Sequence, residues 1–169
     1  MTGLADRLHI RYFEAPDAEI CFKIRSDAFI QKFYAEIGAR ATSAGVNAFM
    51  PNDYVRMAQK MPFFVAEDAG GIIGFFIIKR QDTVVAEIVL IYIDINHLGK
   101  NIGRAFIAYI EQWVKDNWPE VARLVVETII PEYNSGFYRN AGFLPSGNAV
   151  CHFPTMDVPA LRLVKKLNP

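Results

Sequence analysis

One change of residue pattern, between residues 84 and 114, constrains the fold more than any other part of the chain. Residues 84–93 form an apolar run, rich in β-branched side chains, that only Glu87 interrupts. Such a run is typical of a strand with both faces buried. From Ile102 the apolar residues recur at helical spacing, at positions 102, 106, 109/110 and 113. The sequence therefore predicts a buried strand, a tight turn and a helix in direct succession.

The turn between that strand and that helix contains small and basic side chains, namely Asn96, Gly99, Lys100, Asn101, Gly103 and Arg104. The first amides of a helix have no partner within the helix, and the macrodipole adds roughly half a positive charge there, so a phosphate can bind this backbone. An ordinary strand–helix connection with two glycines fits the same turn equally well. Neither the Walker nor the Rossmann glycine pattern occurs in the sequence.

The same passage resembles motif A of the GNAT acetyltransferase superfamily, in which a strand is followed by Gln/Arg-x-x-Gly-x-Gly/Ala. In that family the amides of the motif hold the pyrophosphate of acetyl-coenzyme A. The motif falls here on Leu98-Gly99-Lys100-Asn101-Ile102-Gly103. Leu98 replaces the usual Gln or Arg, and Asn101 replaces the first glycine. Asparagine tolerates left-handed backbone better than most residues, so the turn can still form.

The resemblance implies acetyl-coenzyme A as the bound molecule and a set of residues that contact it. These are the backbone at the end of the strand, the motif itself with the arginine after it, and one polar residue further along, that is Ile91, Tyr92, Ile93, Leu98, Gly99, Lys100, Asn101, Ile102, Gly103, Arg104 and Asn134. A backbone amide near Ile91 or Ile93 would stabilise a tetrahedral oxyanion.

Glu87 is the first candidate for a catalytic side chain. A carboxylate within an apolar strand is costly unless it is paired or faces a cavity, and a partly desolvated carboxylate suits a general base. The alternative is a glutamate that faces solvent or pairs with Arg80. In the histone-acetylating branch of the GNAT family, a catalytic glutamate sits in an Ala-Glu-Ile-Val setting. The resemblance therefore implies the role of base for Glu87, acting directly or through water.

Tyr138 is the second candidate. Residues 134–143, NSGFYRNAGF, resemble motif B of the family, in which a helical Phe/Leu-Tyr is followed by Gly-Phe. The family tyrosine lies near the coenzyme sulfur and protonates the departing thiolate. The alternative is a core tyrosine packed beside Phe137 and Phe143. A covalent route through Cys21 or Cys151 has no activating set of residues in the sequence.

The order of elements predicts a mixed α/β domain over residues 1–169, with a mostly antiparallel central sheet flanked by helices, which is the GNAT arrangement. The predicted strands are 8–13, 63–67, 72–79, 84–93, 123–130, 144–153 and 161–167. The predicted helices are 17–37, 51–60, one from 102 and 133–142, with a loop at 39–50 and another around Pro154 and Pro159. Strands 63–67 and 72–79 form a hairpin around two glycines.

Composition narrows the possible partners. The formal net charge is zero and no apolar stretch reaches 18 residues, so neither nucleic acid nor a membrane is expected as a partner. The amino terminus has no signal-peptide pattern, and two distant cysteines and three histidines form no metal pattern. We therefore expect a cytoplasmic, metal-free protein, with a homodimer possible.

Three functions remain open from the sequence. The first is an N-acetyltransferase that moves an acetyl group from acetyl-coenzyme A to a primary amine of a small molecule, peptide or protein by direct attack. The second is a catalytically silent GNAT-shaped domain that binds coenzyme A, and the third is an unrelated nucleotide binder. In the family, the first two helices form much of the acceptor wall, which here contains Phe29, Phe33, Tyr34, Phe49, Met50 and Tyr54.

Overall fold

The computed structural model describes residues 8–129 and 131–167, without the side chains of 131–135. Seven strands form one sheet in the order β1-β2-β3-β4-β5-β7-β6, and all neighbours are antiparallel except the parallel pair β4–β5. The strands are β1 His9–Tyr12, β2 Phe63–Asp68, β3 Gly71–Arg80, β4 Val85–Ile93, β5 Arg123–Thr128, β6 Leu144–Phe153 and β7 Met156–Lys166.

Helices cover both faces of this sheet. They are α1 Ala18–Ala28, α2 Tyr34–Val46, α3 Pro51–Ala58, α4 Ile102–Asn117 and α5 Pro131–Asn140; a π-helical segment, Phe29–Phe33, joins α1 to α2, and short 3-10 turns lie at Ala15–Asp17 and Ile95–His97. The helices α4 and α5 bury one face around Phe76, Phe106 and Phe143. The helices α1 and α3 bury the other face around Tyr54 and Phe75. The predicted mixed α/β fold is confirmed.

The predicted loop at residues 39–50 is wrong, because α2 continues to Val46. Gly38 does interrupt the helix, with φ 77° and ψ 173°, but the helical path resumes after it. The small residues beyond Gly38 are helical because they lie against α1. A Cβ on Gly45 would stand 2.1 Å from the ring of Phe29, so only glycine permits this approach. Small size here reflects helix packing rather than a loop.

The predicted loop around Pro154 and Pro159 is also wrong in part, because β7 begins at Met156 and includes Pro159. Pro159 is opposite Val150 of β6, whereas β5 pairs with β7 only over residues 161–166. This portion of β7 therefore has a neighbour on one side only, where a residue without an amide proton is tolerated.

The two central strands separate along their length. β4 pairs with β5 only from Val85 to Ile88, after which β4 continues beside β3 and β5 continues beside β7. Ile77 faces Leu90 and Ile78 faces Ile88, so Val89 is an extra residue in β4. Such a bulge bends its strand and increases its twist. The divergence opens the middle of the sheet at the carboxyl end of β4.

Candidate active site

A cavity of about 580 Å³ lies where β4 leaves β5. Its walls are the end of β4, the turn after it, the first turn of α4, helix α5 and the π-helical segment. The predicted site residues that line it are Ile91, Tyr92, Ile93, Leu98, Gly99, Asn101, Ile102, Gly103, Arg104 and Tyr138. Residues that the sequence did not predict for a site also line it, among them Ala28, Lys32, His97, Phe137 and Asn140.

Residues 98–104 comprise the turn before α4 and the first residues of that helix, and their backbone is the one that the sequence predicted. Asn101 adopts φ 61° and ψ 12° immediately before the helix, and Gly99 has φ 78°. Both residues therefore occupy the left-handed region, which glycine and asparagine enter at the lowest cost. Asp94 holds the start of the connection, since its carboxylate accepts a hydrogen bond from the Asn96 amide at 2.8 Å. We call residues 98–104 the donor turn, because the sequence predicts that they bind the acetyl donor.

Gly103 brings the beginning of α4 against α5. A Cβ at this position would stand 2.7 Å from Cε2 of Phe137 and 3.4 Å from Cδ1 of Ile93. The first distance is shorter than real Cβ contacts allow, so a larger residue would displace the Phe137 ring. The glycine is therefore needed for helix packing as well as for access to the amides at the helix start.

Tyr138 is in the wall of the cavity and is only 4% exposed. Its ring packs against Phe137 at a centroid distance of 4.9 Å and against Phe143 at 5.6 Å. Burial, followed by the nearby Tyr92, raises the pKa of the Tyr138 phenol well above its usual value. The phenol therefore keeps its proton across the physiological range, which is the state a proton donor needs.

Glu87 is not among the residues that line the cavity. Its neighbours Ala86 and Ile88 are in the core beneath α4, so Glu87 points to the opposite face, the one that α1 covers. Glu87 is half-buried, and its carboxylate accepts a hydrogen bond from Nε2 of Gln81 at 2.8 Å. It lies outside the cavity wall, and its role as a base stays a prediction. Arg80 binds Glu120 instead, with the closest atoms 3.2 Å apart.

A second carboxylate, Glu127 of β5, shares that face with Glu87. The pKa of the Cys151 thiol is raised by burial and then by the negative charges of Glu127 and Glu87. The three groups therefore lie near one another, although they belong to different strands. The sequence showed Glu127 within an apolar strand, as it did Glu87, but gave no sign that the two strands would bring them together.

Lys100, another predicted site residue, is exposed and does not line the cavity. The prediction for Asn134 falls on a side chain outside the described residues. Leu98 does line the cavity and is 37% exposed, so an apolar side chain occupies the position at which the family motif has Gln or Arg.

His97 lines the cavity but was not among the predicted site residues, because the spacing of the histidines in the sequence suggested no metal site. It lies one position before the motif, with Nε2 3.6 Å from Asp68 and Nδ1 3.8 Å from Asp94. Among the described residues, no group of three or more His, Cys, Asp or Glu could hold a metal ion.

The wall opposite the donor turn contains Ala28, Lys32 and Phe33 of the segment 18–58, which we call the helical wall. Arg25 of α1 is buried there, and its Nη1 donates to the Gly45 carbonyl oxygen at 2.7 Å. Its guanidinium lies over Phe29, Phe49 and Tyr92, at 4.7, 4.9 and 5.7 Å from the ring centroids. Arg25 thus joins α1 to α2 and to β4. Of the aromatic residues predicted for an acceptor wall, Phe33 lines the cavity.

The divided sheet, the helices on both of its faces and this cleft have the GNAT arrangement. Residues 59–145, slightly more than half of the chain, match the family model of the acetyltransferase (GNAT) domain. The chain belongs to the GNAT acetyltransferase family. No curated protein sequence matches it. No helix within residues 8–129 and 131–167 has the length and apolar character needed to cross a membrane.

Solved structures of GNAT proteins share the whole fold. A GCN5-related N-acetyltransferase from Rhodopseudomonas palustris, also described as a class-II aminotransferase, aligns with a TM-score of 0.81 at 14% identity over 94% of this chain and 95% of its own. PaiA N-acetyltransferase from Thermoplasma acidophilum, in complex with coenzyme A, gives 0.79 at 15% identity over 94% and 98%. A phosphinothricin acetyltransferase from Sinorhizobium meliloti, in complex with acetyl-coenzyme A, gives 0.70 at 14% over 96% and 89%.

Proposed function

We propose that the protein is an N-acetyltransferase that moves an acetyl group from acetyl-coenzyme A to a primary amine of a small molecule or a peptide. The observation that carries the proposal is the divergence of β4 from β5 over a cavity that ends at the start of α4 and has Tyr138 in its wall. The similar folds of PaiA, with coenzyme A, and of the phosphinothricin enzyme, with acetyl-coenzyme A, support the same donor.

The donor turn fits a diphosphate group. Its left-handed residues, Gly99 and Asn101, direct the chain into α4 with the first helical amides free of intrahelical partners. A Cβ on Gly99 would meet nothing within 4 Å, so open space adjoins this backbone. Arg104 lines the same part of the cavity and adds positive charge. These residues would hold the diphosphate, and the pantetheine would follow the open edge of β4.

The acetyl transfer itself follows from the open edge of β4. Residues 89–93 have no partner in β5, so amides near Ile91 or Ile93 are available to an oxyanion. The amine nitrogen attacks the thioester carbon, the C–N bond forms, and the C–S bond then breaks. Tyr138 gives its proton to the leaving sulfur. Burial disfavours the phenolate of Tyr138 and the thiolate of coenzyme A alike. The proton transfer therefore replaces one buried anion with another.

Glu87 accepts the proton that the attacking amine loses. Ile91 lies four positions after Glu87, which is about 13 Å along a strand. Because the backbone span is this long, the proton travels through ordered water on the face that α1 covers. A half-buried carboxylate fits this role, since it can exchange its proton with solvent after each turnover.

A second candidate function is a GNAT-shaped domain that binds coenzyme A without transfer. Leu98 favours it, because an apolar side chain stands where the family motif has a polar one, and so does the position of Glu87 outside the cavity wall. Under this alternative the donor still binds, but no amine is acetylated.

Two measurements separate the candidates. Isothermal titration of the purified protein with acetyl-coenzyme A tests binding, and free thiol release over a panel of amines (spermidine, tyramine, free amino acids and a peptide with an N-terminal alanine) tests turnover. We expect binding, and turnover that falls by roughly 10²-fold or more in Glu87→Gln. Binding with no turnover on any amine would favour the silent domain, and no binding would refute both.

A further inference from the structure

Four side chains on the face that α1 covers form a continuous chain of hydrogen bonds that ends on Glu87. Arg162 of β7 donates from Nη1 to Glu127 Oε1 and from Nη2 to Gln81 Oε1, both at 3.2 Å. Gln81 in turn donates from Nε2 to Glu87 Oε2 at 2.8 Å. The chain thus connects β7, β5 and the β3–β4 loop to the carboxylate of β4.

The chemistry of Arg162 and of Glu87 fixes the orientation of the Gln81 amide that lies between them. A guanidinium can only donate hydrogen bonds, and a carboxylate can only accept them. Gln81 must therefore turn its oxygen to Arg162 and its nitrogen to Glu87. Without Arg162 the amide could rotate and present its oxygen to the carboxylate, which would repel it.

The backbone beneath Gln81 is also held in place. Its amide donates to the Val85 carbonyl oxygen at 2.9 Å. The next residue, Asp82, accepts hydrogen bonds on Oδ1 from the amides of Val84 at 2.7 Å and Val85 at 2.8 Å. These hydrogen bonds fix the conformation of the loop, which places the Gln81 side chain beside β4.

The two carboxylates in the chain have different partners. Glu127 accepts from a guanidinium, so its negative charge is already balanced by an ion pair. Glu87 accepts from a neutral amide, so it is oriented without being neutralised. This difference assigns the base to Glu87 rather than to Glu127, although both carboxylates lie on the same face.

We propose that Gln81, held by Arg162, is the positioning residue that orients Glu87 for proton removal from the acceptor amine. The proposal rests on the proposed acetyltransferase function. Neither residue contacts the reacting atoms, and both act through the carboxylate of Glu87.

The first test uses Gln81→Ala, with thiol release from acetyl-coenzyme A measured for the amine that the wild-type protein acetylates fastest. We expect kcat to fall about tenfold, part of the roughly 10²–10⁴ that a general base provides. The KM for acetyl-coenzyme A should stay within about twofold, because Gln81 is remote from the donor turn. The kcat/KM profile against pH is measured as well, because a base that is no longer oriented changes the pH dependence of proton removal.

Gln112→Ala is the matched control. Gln112 of α4 also donates from Nε2 to a carboxylate, that of Asp116, at 2.8 Å on the surface. Its replacement removes the same kind of hydrogen bond far from Glu87, and it should leave kcat and the pH profile unchanged. Thermal melting of both variants tests that the fold is retained.

Two further variants separate positioning from a general effect on structure. In a Glu87→Gln background, Gln81→Ala should change kcat by less than about twofold, since the group it orients is gone. Arg162→Met should lower kcat less than Gln81→Ala, and the double variant should be no slower than Gln81→Ala alone. Additive losses, or an unchanged pH profile in Gln81→Ala, would overturn the positioning role while leaving the acetyltransferase intact. A wild-type protein without turnover would overturn both.

Discussion

The donor turn and the helical wall each bend at a residue with positive φ, Asn101 in the turn and Gly38 in α2. In the turn, the bend exposes backbone amides, and a Cβ added to Gly99 beside it would meet open space. In the wall, the helix after the bend is packed closely onto the π-helical segment, with Gly45 against the Phe29 ring. The donor side is therefore shaped by its backbone and the opposite side by its side chains. Substitutions should act differently on the two.

Tyr138→Phe should have the largest effect on the donor side, because it removes the one proton donor in the cavity wall that our proposal uses. We expect kcat to fall roughly 10²-fold, within the range for general acids, with the KM for acetyl-coenzyme A little changed. Steady-state thiol release measures both. Phe137→Leu changes packing beside the same position without removing a hydroxyl, and a larger loss in that variant would contradict an acid role.

Gly103→Ala and Gly45→Ala test the comparison directly, since each adds a Cβ that overlaps an aromatic ring. Overpacking costs typically about 1–3 kcal/mol, so both variants should have a lower free energy of unfolding. Only Gly103→Ala should also weaken coenzyme A binding, because it displaces the start of α4. Urea denaturation and isothermal titration give the two quantities. Equal affinity loss in both variants would show that the wall is not independent of the donor turn.

Arg25→Met tests how much side-chain contacts stabilise the helical wall. The variant loses the hydrogen bond to the Gly45 carbonyl and the contacts with three rings, although it also removes a buried charge. The lost hydrogen bond and the lost ring contacts should dominate, and we expect a net loss of about 1–2 kcal/mol. Urea denaturation measures this loss. Coenzyme A affinity should stay within about twofold, and Arg56→Met, on the exposed side of α3, serves as the control.

Alkaline pH should lower the free energy of unfolding through one tyrosine on each side, Tyr138 on the donor side and Tyr54 in the helical wall. Burial raises the pKa of Tyr138 on the donor side and of Tyr54 in the wall above that of an unfolded tyrosine, about 10. The folded state thus holds these protons more tightly, so stability is complete below about pH 10 and falls as pH rises through the folded pKa. Each group contributes up to about 1.4 kcal/mol per pH unit in that window. Urea denaturation from pH 8 to 11 should give a shallower decline in Tyr54→Phe.

Asn101→Gly should have the smallest effect. Asparagine already occupies the left-handed region there, and glycine does so slightly more easily. We expect coenzyme A affinity and the free energy of unfolding to change by less than about 0.5 kcal/mol. Asn101→Val, which cannot adopt this φ without strain, should weaken binding at least several-fold. If glycine and valine behaved alike in titration, the left-handed backbone would have no part in donor binding.

The features that the sequence predicted are those that depend on neighbouring residues in the chain. The strand of residues 84–93, the donor turn and the hairpin of β2 and β3 all carry local signals, and the structure contains them. The end of α2 and the start of β7 depend on distant partners, which are Phe29 for Gly45 and β6 for Pro159. Local patterns cannot reveal such partners, and the predicted loops there were wrong.

The same limit applied to the candidate site. The residues of the donor turn are contiguous, so one motif identified them together, and all of them except Lys100 line the cavity. Glu87 was identified by its charge in an apolar strand, but its partner Gln81 lies in a loop and Arg162 lies in β7. No spacing in the sequence connects these residues, because the connection exists only across the finished sheet.

Under the proposed function, the contact between Gly103 and Phe137 would couple the two ends of the donor molecule. Phe137 precedes Tyr138 on α5, and its ring rests on the first turn of α4. A movement of that turn on binding of a diphosphate would be passed through this contact to the Tyr138 phenol. Occupancy at the nucleotide end would thereby be sensed at the reacting end, and a truncated donor such as acetyl-pantetheine would meet a less well-aligned hydroxyl.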